Sequence, residues 1–200
     1  PDTIVKEKHI SKLTQMSLYP VNAKYLTILA RMTGYLLTDG SSGIYNGYPQ
    51  IQMTFVSHKG CESFQKDIES LGFKRNKVFD IYDEVYGSAK QVIYNNALAS
   101  LLIALVDNYT GKKSTQEHPS IPQWLEKSSK AVKREFLSGF QGGDGCRIRY
   151  NNLKKRNTGN FVLNSTSQTI LSKYVDSLVV FFTQIKNMFA EFGILCSGPT

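Results

Sequence analysis

Cysteine and histidine are scarce in this 200-residue chain, which contains three of each. Cys61, Cys146 and Cys196 are scattered and odd in number, and none belongs to a CxxC or Cys/His cluster. This pattern argues against both a disulfide framework and a zinc site. We therefore expect reduced thiols in an intracellular protein. The three histidines are isolated in sequence, and each is more typical of a structural or exposed residue than of a catalytic one.

Long apolar segments are also absent. The longest apolar run, from Ala97 to Val106, includes a serine and is too short to cross a bilayer, which takes about 20 residues. The first ten residues, PDTIVKEKHI, are charged and lack the apolar centre of a signal peptide. No association with a membrane is expected.

Positive charge is abundant and unevenly placed. The formal net charge is +8, and residues 120–160 alone contain nine Lys or Arg against three Asp or Glu, a balance of +6. A localised basic stretch favours a nucleic-acid partner. A solvated basic face remains the alternative from composition alone.

One short motif occurs twice. Residues 31–41 read RMTGYLLTDGS and residues 136–146 read FLSGFQGGDGC, so that Asp39 aligns with Asp144 and Gly34 with Gly139 without a gap. The offset is 144 − 39 = 105 positions. In each copy an apolar helical stripe ends in an aspartate beside glycine, and this repetition predicts a duplicated fold unit.

The elements after the first motif are predicted in a definite order. A helix ends at DGSSG, YPQIQMTFVS alternates as a strand with one buried face, and a helix follows, with Gly72 placed to cap it. KVFDIYDEVYG and AKQVIYN predict two more strands, and NALASLLIALVDN predicts a buried helix opened by an asparagine cap. We predict that residues 22–110 form a first half, for which the expected order is αββαββα.

The second half is predicted to be similar but incomplete. A polar, Gly- and Pro-containing linker spans 111–122, and the second half spans 123–200. We predict a helix from about Lys127 to Gly142, strands at CRIRYN and NFVLNSTS, and an amphipathic helix from about Gln168 to Phe192. The chain after Asp144 is too short for every element of the first half. The predicted fold class is α+β, with two pseudo-symmetric αββαββα halves.

The matched glycines predict how the halves meet. A glycine inside a helix costs about 1 kcal/mol relative to alanine, so Gly34 and Gly139 are best explained by close contact between the two motif helices. Such packing would bring Asp39 toward Asp144. Neighbouring carboxylates repel unless a cation joins them, and carboxylate oxygens suit Mg²⁺. Two acids beneath a basic surface suit metal-assisted phosphodiester hydrolysis.

In these repeated motifs the chain resembles the LAGLIDADG homing endonucleases. TGYLLTDGS and SGFQGGDGC are similar to the two motifs of that family, and IPQWLEKSSKAVKREFLSGFQGGDG resembles the approach to the second motif in intein-borne members. The resemblance implies paired motif helices, Asp39 and Asp144 as ligands of the catalytic Mg²⁺, and sheets that bind the DNA major groove. It also implies an active-site lysine, whose matching position is Lys90. Gln141, Gly142 and Gly143 stand where more apolar residues are common in the motif, and the three glycines Gly142, Gly143 and Gly145 are expected to loosen the end of the second helix.

Candidate DNA contacts follow from side-chain chemistry. Gln and Arg suit base edges, and Lys or Arg in a turn suits phosphates. The candidates are Gln50, Gln52, Thr54, Arg147 and Arg149 for bases, and Lys154, Lys155 and Arg156 for phosphates. An ordinary solvated sheet face is the alternative for the first three, and a surface lysine for Lys90.

The sequence therefore predicts a monomeric, Mg²⁺-dependent endonuclease that makes a double-strand break in a long double-stranded DNA target. Lys90 would stabilise charge or orient the attacking water. The alternative is a non-cleaving protein of the same fold, either a degenerate endonuclease or a maturase-like RNA splicing factor. An EF-hand calcium protein is disfavoured, because the loops after both aspartates lack alternating oxygen ligands. Whether the chain is intein-embedded, intron-encoded or free-standing stays open, although it lacks the terminal residues for splicing by itself.

Overall fold

The computed structural model describes residues 7–16, 18, 23–83, 87–106, 121–144 and 172–198. In chain order the helices are α1 (Glu7–Gln15), α2 (Ala23–Thr38), α3 (His58–Ser70), α4 (Ala97–Leu105), α5 (Gln123–Glu126), α6 (Lys130–Asp144) and α7 (Val175–Ala190), with a 3₁₀ turn at Ser172–Tyr174. The strands are β1 (Gly40–Tyr45), β2 (Tyr48–Phe55), β3 (Val78–Asp83) and β4 (Gly87–Tyr94).

The first half has the predicted order of elements. From α2 to α4 the chain runs helix, strand, strand, helix, strand, strand, helix, which confirms the αββαββα pattern. The four strands form an antiparallel sheet in the order β1-β2-β4-β3. Helices on an antiparallel sheet make the class α+β, as predicted.

The sheet has one apolar and one polar face, as the alternation in β2 predicted. Ile51, Met53 and Phe55 are buried. The polar residues that alternate with them, Gln50, Gln52 and Thr54, are half-buried. The β1–β2 hairpin turns at Asn46 and Gly47, both at positive φ (51° and 74°), which is typical of an Asn-Gly turn.

The predicted caps are confirmed at two helices. Asn96 opens α4 by accepting a hydrogen bond from the Leu98 N–H at 3.0 Å. At the end of α3, Gly72 has a φ of +84°, and its N–H donates to the Glu69 carbonyl while the Phe73 N–H donates to the Ile68 carbonyl. These two bonds form a Schellman motif, in which glycine takes the left-handed position without a steric penalty.

Tyr94 ties β4 to α3 and to the loop that follows it. Its buried hydroxyl donates to Gln65 Oε1 and accepts from the Asn76 N–H at 3.2 Å. Burial raises the pKa of Tyr94 to about 12, because the phenolate would lose its hydration.

This raised pKa makes the fold sensitive to alkali. The folded state holds the phenolic proton more tightly than the unfolded chain, whose tyrosines titrate near pH 10. The stabilisation is therefore complete below pH 10 and is lost as the pH rises toward 12. Between these values we expect the free energy of unfolding to fall by about 2 kcal/mol more in the parent than in Tyr94→Phe. Urea titrations at each pH would measure it. A Tyr82→Phe control, at a side chain 77% exposed, should follow the parent.

The second half differs from its prediction at the helix boundaries. The helix expected from about Lys127 is divided, since α5 ends at Glu126 and α6 begins at Lys130. The helix expected from about Gln168 to Phe192 is shorter, with α7 ending at Ala190. Phe136 stacks on Phe140 within α6, and the tilted contact of Phe140 with Phe181 joins α6 and α7 within one core.

Several predictions fall outside the described residues. These are the linker at 111–120 and both strands of the second half, CRIRYN and NFVLNSTS. Within the described ranges, no helix is long and apolar enough to span a bilayer.

Candidate active site and nucleic-acid interface

The two motif helices, α2 and α6, pack backbone against backbone. A Cβ added at Gly34 would lie 2.5 Å from the Phe140 nitrogen, and one added at Gly139 would lie 2.9 Å from the Arg31 carbonyl carbon. Real Cβ atoms essentially never come within 3.0 Å of such atoms. Only glycine therefore permits this helix separation at either position.

The contact is reciprocal about a pseudo-two-fold axis. Gly34 meets the backbone of Phe136, and Gly139 meets the backbone of Arg31. The motif offset of 105 converts one pair into the other, because 34 + 105 = 139 and 31 + 105 = 136. The duplication in sequence thus corresponds to a symmetric contact in space.

The same axis passes through the ends of the helices. Thr38 and Gly143 are equivalent by the offset, and a Cβ added at Gly143 would lie 2.5 Å from Thr38 Cβ. The Thr38 hydroxyl is directed back into its own helix, where it donates to the carbonyls of Gly34 and Tyr35 at 3.1 Å. This end of the helix pair is therefore closed by small, internally hydrogen-bonded groups.

The glycines near the end of α6 have a packing role. The helix continues through Gly142 and Gly143 to Asp144, two residues beyond its predicted end. A Cβ at Gly142 would meet the Tyr35 ring at 2.9 Å, and one at Gly143 would meet Thr38. The expectation that these two glycines loosen the helix end is wrong, because each lies against a side chain of α2. Gly145 lies outside the described residues.

Asp39 lies where α2, the sheet and α6 converge. Its N–H donates to the Tyr35 carbonyl at 3.0 Å, and its own carbonyl accepts from the Thr54 N–H at 3.3 Å. Its carboxylate oxygen Oδ2 lies 3.3 Å from the Cβ position at Gly143. The carboxylate therefore reaches α6 one residue before Asp144.

The residue types at the paired ends of α2 and α6 fit a Mg²⁺ site, because both positions carry aspartate. The Asp39 carboxylate is turned toward the end of α6, and Asp144 is the last residue of that helix. Hard oxygen ligands with room for water are what Mg²⁺ requires. The Asp144 side chain is outside the described part of the structure. Among the side chains that are described, no group of three His, Cys, Asp or Glu gathers that could hold a metal ion.

The polar face of the sheet leads away from Asp39. Strand pairing places Gln52 beside Ser41 and Ile93, and Thr54 beside Gln91. Paired residues share a face, so Gln91 joins the predicted set Gln50, Gln52 and Thr54. Sequence reasoning missed Gln91, although its alternation with Val92 in AKQVIYN was available as a signal.

Three exposed aromatic residues extend this face. Tyr45 pairs with Tyr48 at the hairpin, and Phe79 pairs with Gln91 at the opposite edge strand. Their relative exposures of 56%, 43% and 41% are high for large apolar side chains. Exposed aromatics interleaved with glutamines are typical of a binding surface rather than of an inert one.

Lys90 lies on the other face of the sheet. It pairs with Phe55 on β2 and with Asp80 on β3, so it points to the helix side, at the end of the sheet where Thr54 bonds to Asp39. Its ammonium forms an ion pair with the Asp80 carboxylate. The remaining DNA-contact candidates, Arg147, Arg149, Lys154, Lys155 and Arg156, lie outside the described residues.

An ion network below the site joins the two halves. Arg31 on α2 forms a two-bond pair with Asp67 on α3, at 2.9 and 2.6 Å, and also bonds to Glu135 on α6. These bonds to Asp67 and then Glu135 raise the pKa of Arg31, despite the opposing effect of its burial. The network holds α2 and α6 together at Arg31, the residue whose backbone also contacts Gly139.

Tyr35 connects this network to the end of the helix pair. Its ring packs against Gly142 and, edge to face, on Phe55. Burial raises the pKa of Tyr35; the carboxylates of Asp67 and Asp39 raise it further, and Arg31 opposes them. A neutral tyrosine therefore borders the Asp39 carboxylate.

Comparison with known proteins finds relatives of three different kinds. No family model matches the chain. It is 31% identical over 175 residues to the replication factor C small subunit of Methanocaldococcus jannaschii, and 26% identical over 204 residues to the DNA-directed RNA polymerase subunit Rpo1N of the same organism. It is also 32% identical over 132 residues to the tRNA-splicing ligase RtcB of Pyrococcus furiosus.

The matches cover most of this chain but little of each relative. They include 84%, 94% and 61% of the chain, yet only 9%, 15% and 13% of the respective relatives. Among solved structures, mesophilic variants of the homing endonuclease I-DmoI align with a TM-score of 0.49 at 10% identity, over 86% of this chain and 80% of theirs.

Proposed function

We propose that the chain is a site-specific DNA endonuclease of the homing type, related to the LAGLIDADG family, that hydrolyses both strands of a long DNA target with Mg²⁺. The observation that carries this proposal is the reciprocal contact of the two motif helices. It places Asp39 beside the residue preceding Asp144, at the end of a polar sheet face. This contact supports the proposal that the matched acids belong to one site rather than to two separate turns.

The relatives favour an intein-borne endonuclease over the other settings. A replication factor subunit, an RNA polymerase subunit and an RNA ligase have no activity in common, yet each shares this one segment over a small share of its length. A segment common to unrelated hosts is best explained as an insertion with a function of its own. The activities in the relatives' names are therefore not assigned to this chain.

In the proposed mechanism the residues of the chain bind the DNA, orient it, and hold the cation that neutralises charge at the phosphate. Asp39 and Asp144 would hold Mg²⁺, which when bound polarises the scissile phosphate and assists deprotonation of water. Gln50, Gln52, Thr54 and Gln91 would read base edges in the major groove, because amide groups match their donor and acceptor patterns. The helix pair fixes the spacing between the two acids, and hence between the two cuts.

Lys90 is proposed to stabilise the developing charge or to orient the attacking water. Its present partner, Asp80, has a side chain that is 80% exposed. An ion pair so open to solvent contributes at most about 1 kcal/mol. A DNA phosphate could therefore replace Asp80 at little cost, which makes the observed pairing compatible with an active-site role.

Cleavage of a DNA library tests this proposal. Plasmids would carry candidate insertion sites, taken from genes for the three kinds of relative with the matching segment removed. We expect Mg²⁺-dependent linearisation of a subset of plasmids, and no cutting in EDTA. Binding to transcripts of the same inserts would be measured in parallel. Tight RNA binding without any DNA cutting would instead support the maturase-like alternative.

A further inference from the structure

A cavity of about 560 Å³ lies at the end of the sheet opposite Asp39, between α1 and the β1–β2 hairpin. Lys8 and Lys12 line one side of it, and Asn46, Tyr48, Gln50 and Asn95 line the other. The described residues that line it include no carboxylate. The cavity is thus suited to an anion, and nothing in the motif repeat accounts for it.

The two lysines are positioned by the docking of α1. His9 Nδ1 is hydrogen-bonded to the Ser100 hydroxyl at 2.6 Å, which fixes α1 on α4, and Leu13 is buried beside it. Lys8 and Lys12 are four residues apart, so they lie on neighbouring turns of one helix face. Two contacts, His9 and Leu13, therefore determine where both ammonium groups lie.

Aromatic rings hold the ammonium groups in place. Lys8 Nζ lies 5.0 Å from the centroid of Tyr48, and Lys12 Nζ lies 5.6 Å from that of Phe73. Neither ammonium pairs with a carboxylate anywhere in the described ranges. Their charge is therefore available to an anionic ligand.

The cavity is continuous with the polar face of the sheet. Gln50 belongs to both, and strand pairing places Tyr45 and Tyr48 on the same face as Gln52. Asp39 precedes the first residue of β1, and Tyr45 is the last. Six residue steps at about 3.4 Å each place the hairpin roughly 20 Å from Asp39.

We propose that this cavity binds one backbone phosphate of the DNA, on the side of the first motif. The inference rests on the proposed function and extends it to a second contact point. Lysine is a compact charge suited to phosphate, and the amides of Asn46 and Asn95 can donate further hydrogen bonds. At about 3.4 Å per base pair, the phosphate would lie about six base pairs from the centre of the site, where the pseudo-two-fold axis meets the DNA.

The test removes the two charges and measures how DNA affinity depends on salt. The probe is a duplex that the parent chain selects from a random-sequence library, with binding followed in EDTA. For Lys8→Gln with Lys12→Gln we expect the slope of log K against log salt to decrease by about 0.9, equivalent to about eightfold weaker binding at 0.1 M salt. Lys8→Arg with Lys12→Arg, which keeps both charges, should restore the parent slope.

A matched control removes two lysines from the other side of the sheet. Lys66 on α3 and Lys74 just after it are both exposed, and Lys66→Gln with Lys74→Gln should bind as the parent does. Ethylation of single phosphates locates the contact. Ethylation about six base pairs from the centre should weaken the parent and leave Lys8→Gln with Lys12→Gln unaffected.

Three results would overturn the inference, and they differ from one another. Equal slopes for the two glutamine pairs would exclude the cavity as a phosphate site, while leaving the proposed function intact. If Lys8→Gln with Lys12→Gln bound RNA more weakly than the parent does, but bound the duplex equally well, RNA would be identified as the ligand of the cavity. Failure of the parent chain to bind any duplex at low salt would refute the proposed function itself.

Discussion

Asp39→Asn is expected to lower Mg²⁺-dependent cleavage by about 1,000-fold or more, while the affinity for DNA is retained or slightly raised. A metal ion contributes several kcal/mol of charge stabilisation in the transition state, and each 1.4 kcal/mol is a factor of ten in rate. The asparagine has the size of the aspartate but lacks the charge that holds the cation. Removing a negative charge beside bound DNA also reduces repulsion of phosphates.

The comparison requires two further variants. Asp144→Asn should have an effect of the same order, because the motif offset and the reciprocal helix contact give the two residues equivalent positions along their helices. Asp176→Asn, at an exposed position in the first turn of α7, should cut at the parent rate. Rates would be measured under single-turnover conditions on one cleaved target, with affinity measured separately. Cutting that survives both Asp39→Asn and Asp144→Asn would exclude these residues as the metal site.

Gly139→Ala is expected to lower the free energy of unfolding by about 3 kcal/mol or more, although alanine is the better helix former. The added methyl would overlap the backbone of Arg31, which no side-chain rotation can relieve. The helices would have to separate, and this would disturb the bonds from Arg31 to Asp67 and Glu135. Overpacking usually costs about 1–3 kcal/mol of stability when side chains can adjust. Because a clash between two backbones cannot be relieved in that way, we expect its cost to lie at or above the upper end of this range.

Gly142→Ala is the matched control, with the same substitution on the same helix three residues later. Its Cβ would meet only the edge of the Tyr35 ring, which can shift. The gain in helix propensity is about 1 kcal/mol, so we expect stability within about 1 kcal/mol of the parent. Urea denaturation of both variants would give the comparison. Equal stabilities for Gly139→Ala and Gly142→Ala would show that α2 and α6 do not pack as closely as described.

Much of the first half could be predicted because its signals are local. The alternation through Ile51, Met53 and Phe55 depends on only eight residues of β2, and the caps at Asn96 and Gly72 on a few neighbours each. The hydrogen bonds of these caps join residues close together in the chain and depend on residue type, so the sequence is enough to predict them. Helix ends were less predictable. Glu126 and Lys130 bound a break between α5 and α6 that the periodicity does not mark.

Features that depend on contacts between distant segments were harder to predict from the sequence. The role of Gly142 and Gly143 was misread, because what matters is the side chain of another helix lying against each. Lys90 was matched by its position, but its pairing with Asp80 required the strand register of β3 with β4. The cavity beside α1 was not anticipated, since Lys8 and Asn46 are far apart in sequence.

The sequence by itself determined the repeat, the two acids, the polar strand face and the α+β class, because each is a pattern within one segment. The tertiary structure decided what those segments do to one another. It placed Gly34 and Gly139 on a shared axis, directed Asp39 toward the end of α6, and docked α1 so that Lys8 and Lys12 line one cavity with residues of the hairpin. The physical reason is that such contacts depend on packing distance, which side chains from separate segments set together and no single segment specifies.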